Sequence, residues 1–127
     1  VGGYMLDKEE IISKYIKYGK IMYETTLDGN YRRGNRAGRK RDKLFKELSK
    51  DKVLAKEIFD ELLENENVEL RISIAAECLI LKINEKRAEE VLKEIANSEK
   101  YGIFSLNARM TLKVWREGEL RAKGIEL

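Results

Sequence analysis

The sequence predicts an all-α fold, an α-solenoid fragment of about three antiparallel helical hairpins. Three observations point there. Charged residues make up 39% and hydrophobic residues 43% of the 127 residues, the balance of helices with one solvated face. Proline is absent and most of the nine glycines stand where helices would end, so the close-set turns of a β-sandwich are missing. Apolar residues recur at three- and four-residue steps in six segments, which is the period of amphipathic helices. The length suits one domain, 1–127, able to bury a core without disulfides. Residues 1–5 lie outside the pattern, and Val1-Gly2-Gly3 reads as disordered or as an expression-vector remnant.

The first helix is expected over 6–27. Asp7 is its N-cap and Glu10 completes a capping box. Ile11, Ile12, Tyr15, Ile16, Met22 and Tyr23 recur at helical spacing. Asp28-Gly29-Asn30 is a turn, and Asn30 caps the second helix, 31–48. With Phe45 set at the centre of the inner face and about 100° per residue, Gly34 and Gly38 fall inward. Glycine inside a helix costs about 1 kcal/mol against alanine, so close approach of a neighbouring helix is expected. Arg41 and Asp42 fall on the same half. Buried charge must be paired, so a hydrogen-bonded network is expected there, with Asn35 a candidate member.

Asp51 caps the third helix, to about residue 64, with Leu54, Ile58, Leu62 and Leu63 inward. Asn67 caps the fourth, 68–82, which is apolar almost all round and should be the most buried. Asn84 caps the fifth, to about residue 97. The sixth runs over about 101–117, with Gly118 as the C′ residue. Helices of this length on short turns pack as antiparallel neighbours. The last two hairpins span about 30 residues each, shorter than the usual two-helix repeat periods of about 34 to 47. A closed bundle is the structural alternative.

Composition also removes chemistry. Without histidine, and with Cys78 alone, there is no Ser-His-Asp or Cys-His site and no ordinary zinc site. No phosphate-binding glycine loop or EF-hand loop is present. The chain is therefore read as a non-enzyme that needs no cofactor and no metal. Cys78 sits in an apolar run and reads as a buried thiol of a reducing, cytoplasmic compartment. No stretch approaches the roughly 18 apolar residues of a membrane span.

Within the fourth helix, Leu70-Arg71 and Ala75-Ala76 resemble the V-R-x-x-A-A-x-A-L pattern of a HEAT-repeat second helix, with one extra residue between the arginine and the alanines. The stretch 31–36, ending Asn35-Arg36, resembles the K-x-N-R of an uncharacterised bacterial family of small HEAT-like proteins. Residues 107–112 resemble its closing D-A-G-M-T-L, with Asn107 and Arg109 as departures. Residues 116–120 resemble its x-x-G-x-F, with Leu120 replacing the aromatic. The resemblance implies a HEAT-like helical-repeat fold, and a role as an immunity protein that neutralises a cognate bacterial toxin.

Charge is unevenly spread. Residues 1–50 hold 13 basic and 7 acidic side chains, whereas residues 51–99 hold 7 and 13. Glu57, Asp60, Glu61 and Glu64 on the outside of the third helix, and a four-spaced stripe of Glu69, Ser73 and Glu77 on the fourth, would suit a basic partner such as a nuclease domain, whose active site they would cover. Glu61, Glu64, Glu69 and Glu77 are the candidate partner-binding residues. The alternative is a nucleic-acid-binding module using Arg32, Arg36, Arg39 and Lys43 on the second helix, with Tyr31 able to stack on a base. A solvated face is the competing explanation of each stripe. The sixth helix carries two apolar stripes, one with Phe104 and Trp115. Burial explains them, and a dimerisation or scaffold contact through Phe104 and Trp115 is the third reading. The oligomeric state is left open.

Overall fold

The computed structural model describes residues 7–121. The expectation for residues 1–5 lies outside them. Six α-helices and one short 3-10 turn follow one another, with no strand among the described residues. They are α1 (Lys8–Asp28), α2 (Tyr31–Leu48), α3 (Lys52–Leu62), α4 (Val68–Leu81), α5 (Glu85–Ala96) and α6 (Ile103–Arg116).

Local chemistry sets most boundaries. The side chains of Asp7, Asn30, Asp51 and Asn67 accept backbone N–H groups of the first turns they precede, as N-caps do. Two expectations fail. Glu10 forms an ion pair with Lys14, and no reciprocal capping box is seen. Asn84 makes no cap hydrogen bond; it is in the left-handed region, and its side chain donates to the Lys56 carbonyl within α3. The expected start of the sixth helix is also displaced. Glu99–Tyr101 forms a 3-10 turn, and Gly102, at φ 56°, breaks it from α6. Gly118 takes the C′ position with φ 75°, and the N–H of Glu119 reaches the Val114 carbonyl.

α4 is the centre of the molecule. It packs against α1, α3, α5 and α6, and all but three of its fourteen residues are buried. An apolar surface with no polar face has no other way to leave water. The core continues through Tyr15, Phe45, Phe59, Leu92, Ile95 and Leu112. α2 is peripheral, packing along α1 and touching α3. Gly34 stands against Thr25, where an added Cβ would come within 2.5 Å of the hydroxyl oxygen. Gly38 differs from expectation, since nothing lies within 4 Å of its Cβ position. A third close approach, Gly19 against Leu70, joins α1 to α4.

Two arginines repeat one device. Arg71 of α4 donates through Nε to the Leu63 carbonyl at the end of α3, 3.1 Å away. Arg109 of α6 donates to the Ala96 carbonyl at the end of α5, 2.9 Å away. Each satisfies a carbonyl that its helix leaves unpaired. Tyr23 of α1 stacks on Phe104 of α6, ring centroids 5.2 Å apart, so the first helix also touches the last.

Candidate interaction surface

The four acidic residues singled out in the sequence do not form one surface. Glu61 is exposed on α3, and Glu64 is exposed in the turn that follows it. Glu64 accepts from Arg87 of α5 at 2.7 Å. Glu69 is half-buried and accepts from the Ser73 hydroxyl. Glu77, expected on an outer stripe, is 3% exposed and pairs with Arg41 of α2 at 2.9 Å. The four-residue spacing of Glu69, Ser73 and Glu77 does put them on one face. That face turns toward α1 and α2, because α4 has no solvent side. Glu77 is therefore a structural residue and is unavailable to a partner.

The Arg41–Glu77 pair is the buried network that the second helix requires. Arg41 also approaches the Met22 sulfur at 3.8 Å. Asn35 and Asp42 are exposed and make no hydrogen bond to the pair, although the Asp42 charge adds to the rise at Glu77. Burial pushes the Glu77 carboxyl above its usual range, against the pull of the Arg41 charge. Burial is the largest influence on Arg41 and opposes its charge, but Glu77, Tyr15 and Glu69 together outweigh it and hold the guanidinium above its usual value. Tyr15 lies in the same field, and burial followed by the Glu77 charge keeps its phenol protonated. Desolvation likewise raises Glu69, only partly offset by Arg41. The Tyr15 hydroxyl, Arg41 Nε and Glu77 Oε1 are buried without a hydrogen-bond partner in good geometry.

What remains outside is an acidic ridge on α3. Glu57, Asp60 and Glu61 are exposed at i, i+3 and i+4, so they share one face, and exposed Glu64 extends the row into the turn after the helix. Among the described residues only Glu64 of these has an ion-pair partner. Glu57 and Asp60 belong to the ridge although they were not among the candidate partner-binding residues. Their spacing in the sequence already puts all four on the outside of the third helix.

The opposite charge stands on α2. Arg32, Arg36, Arg39 and Lys43 are all exposed, as is Lys40 between them. None has an acidic partner among the described residues; Arg33 alone on that outer half pairs, with Glu24. Tyr31 is 78% exposed at the start of the helix.

The apolar stripes of α6 are placed unequally. Phe104 is buried under Tyr23, and Trp115 is partly buried against the core. Phe104 therefore has no surface to offer a partner. The exposed row is Ile103, Leu106 and Met110, each about half exposed. Beside it, an open groove of about 670 Å³ runs between α5 and α6, lined by Lys93, Arg109, Lys113 and Arg116 among others. Lys93 and Arg116 both lean on Glu89, so the groove is partly neutralised.

Cys78 is buried, and burial raises its thiol pKa far above the ordinary value, which leaves it unreactive. Among the described residues no group of three or more His, Cys, Asp or Glu is placed to hold a metal ion. Nor is any helix of the described residues long and apolar enough to cross a membrane. No family model, no curated protein and no solved structure matches the chain.

Proposed function

We propose that this domain is an immunity protein, a stoichiometric inhibitor that binds a cognate bacterial toxin in the cytoplasm and covers its active site. The observation that carries the reading is the acidic ridge of α3, where Glu57, Asp60 and Glu61 stand exposed and unpaired among the described residues. A nuclease must gather phosphates, so its cleft is basic, and a rigid row of carboxylates competes for it directly. A helix already ordered by its core contacts loses little entropy on binding. The resemblance of residues 31–36, 107–112 and 116–120 to the small HEAT-like family supports the same role. Binding of this kind needs no catalytic group, cofactor or metal. We also propose that the six helices are stacked as HEAT-like hairpins. Arg71 and Arg109 support that reading, since each second helix of the last two pairs closes the end of the first.

The test is protection of cells against the product of the gene immediately upstream, together with co-purification of the two proteins. Reversing Glu57, Asp60, Glu61 and Glu64 to lysine is expected to abolish protection and to slow association, most strongly at low salt. Full protection by the reversed variant would reject the α3 ridge as the docking site. Glu77 is left out of this variant because a lysine there would face Arg41 in the core.

A further inference from the structure

The outer face of α2 is a second, oppositely charged surface that the toxin reading does not use. The helix holds eight basic residues and two acidic ones. Two of the eight are consumed, Arg41 by Glu77 inside and Arg33 by Glu24 at the edge. Of the two acids, Glu47 approaches Lys50. Arg32, Arg36, Arg39 and Lys43 follow at steps of four, three and four, with Lys40 alongside. They form one straight row about 16 Å long at 1.5 Å per residue.

The row has no stabilising role within the fold. Like charges at i,i+3 and i,i+4 each weaken a helix by about 0.2 to 0.5 kcal/mol. Arg32 and Arg33 stand in the first turn, where no acidic residue complements the helix dipole and positive charge is unfavourable. Gly38 weakens the same helix without gaining a packing contact. An anion laid along the row would relieve the repulsion and match the dipole.

We propose that this face of α2 is a docking surface for a nucleic-acid strand, with Arg32, Arg36, Arg39, Lys40 and Lys43 on successive phosphates and Tyr31 beneath a base. A linear row suits a linear polyanion. Three of the five are arginines, whose planar fork binds phosphate oxygens in pairs. A membrane surface is disfavoured, because the apolar half of α2, with Phe45 and Leu48, is buried in the core and has nothing to insert. The exposed ring of Tyr31 at one end of the row favours a strand with unstacked bases over a polyanion without bases.

The experiment is fluorescence anisotropy of the full chain with a labelled 20-nucleotide single-stranded RNA, the matching duplex DNA and polyphosphate as competitor, between 50 and 200 mM salt. The native chain is expected to bind the single strand with a log–log salt slope of about 0.7 per phosphate contact. R32E/R36E/R39E/K43E is expected to lose binding, while R32K/R36K/R39K, which keeps the charge and loses the paired contacts, is expected to bind more weakly than the native chain with a similar salt slope. Circular dichroism confirms that each variant is folded, and R36Q/R39Q, which removes charge without reversing it, serves if the quadruple change disturbs the helix. Tyr31→Ala is expected to weaken single-strand binding about 5- to 150-fold and to spare the duplex. The proposal is overturned if the native chain shows no saturable binding at 50 mM salt, or if the quadruple variant keeps the native affinity and slope. It is equally overturned if polyphosphate competes as well as RNA and Tyr31→Ala has no effect. Because α3 is untouched, loss of toxin protection by α3 variants and loss of RNA binding by α2 variants are separate outcomes.

Discussion

Arg41 and Glu77 stand 36 residues apart in the sequence and 2.9 Å apart in space. Periodicity alone places Arg41 on the inner half of α2, and burial then demands a partner. Nothing local identifies that partner, because Glu77 has the same spacing signature as a surface stripe. The pair is expected to behave as buried pairs do. Arg41→Ala should cost about 3 to 5 kcal/mol in urea unfolding, since it strands a carboxylate in the core. Replacing both residues with methionine should be close to neutral, and a large loss in the double variant would contradict this. Glu69 gives a pH-dependent test. Its folded pKa is raised by burial, so the folded state holds its proton longer than the unfolded chain does. Its contribution to stability is thus full below the unfolded carboxylate pKa of about 4.3 and is lost as pH rises through the folded value. Glu69→Gln should flatten that fall in thermal melts taken from about pH 4 to pH 7.

At the scale of the helix, caps are the most legible feature, because an N-cap acts on residues two or three positions away. Asp7, Asn30, Asp51 and Asn67 cap as expected. Asn84 does not, since it has been recruited to hold Lys56 of a different element, a contact that sequence distance hides. The two glycines of α2 look alike in the sequence and differ in space. Gly34→Ala should destabilise by about 1 to 3 kcal/mol, as overpacking does, because its Cβ would collide with Thr25. Thr25→Ala should recover most of that loss. Gly38→Ala meets open space and should stabilise by about 0.4 to 1 kcal/mol through the unfolded chain and helix propensity. Equal effects at both positions in thermal denaturation would contradict the packing of α2 on α1.

Across the whole molecule, the six-helix count and the burial of α4 were readable from periodicity and from an apolar circumference. The stacking of Tyr23 on Phe104 was not, because two aromatic rings on amphipathic helices announce no partner. That contact also explains why Phe104 is lost to any external surface while Ile103, Leu106 and Met110 remain outside. Tyr23→Ala should cost at least the roughly 0.5 to 1.5 kcal/mol of an aromatic pair, measured by urea unfolding. The central position of α4 has a further consequence in time. Backbone amides enclosed by four neighbouring helices can meet solvent deuterons only when those neighbours leave together. In native-state hydrogen exchange the amides of α4 should therefore exchange at the rate of complete unfolding, while those on the outer half of α2 open through smaller, earlier fluctuations. Any partner that grips α2 would then slow its exchange selectively, so the same measurement maps the occupied face without a single substitution.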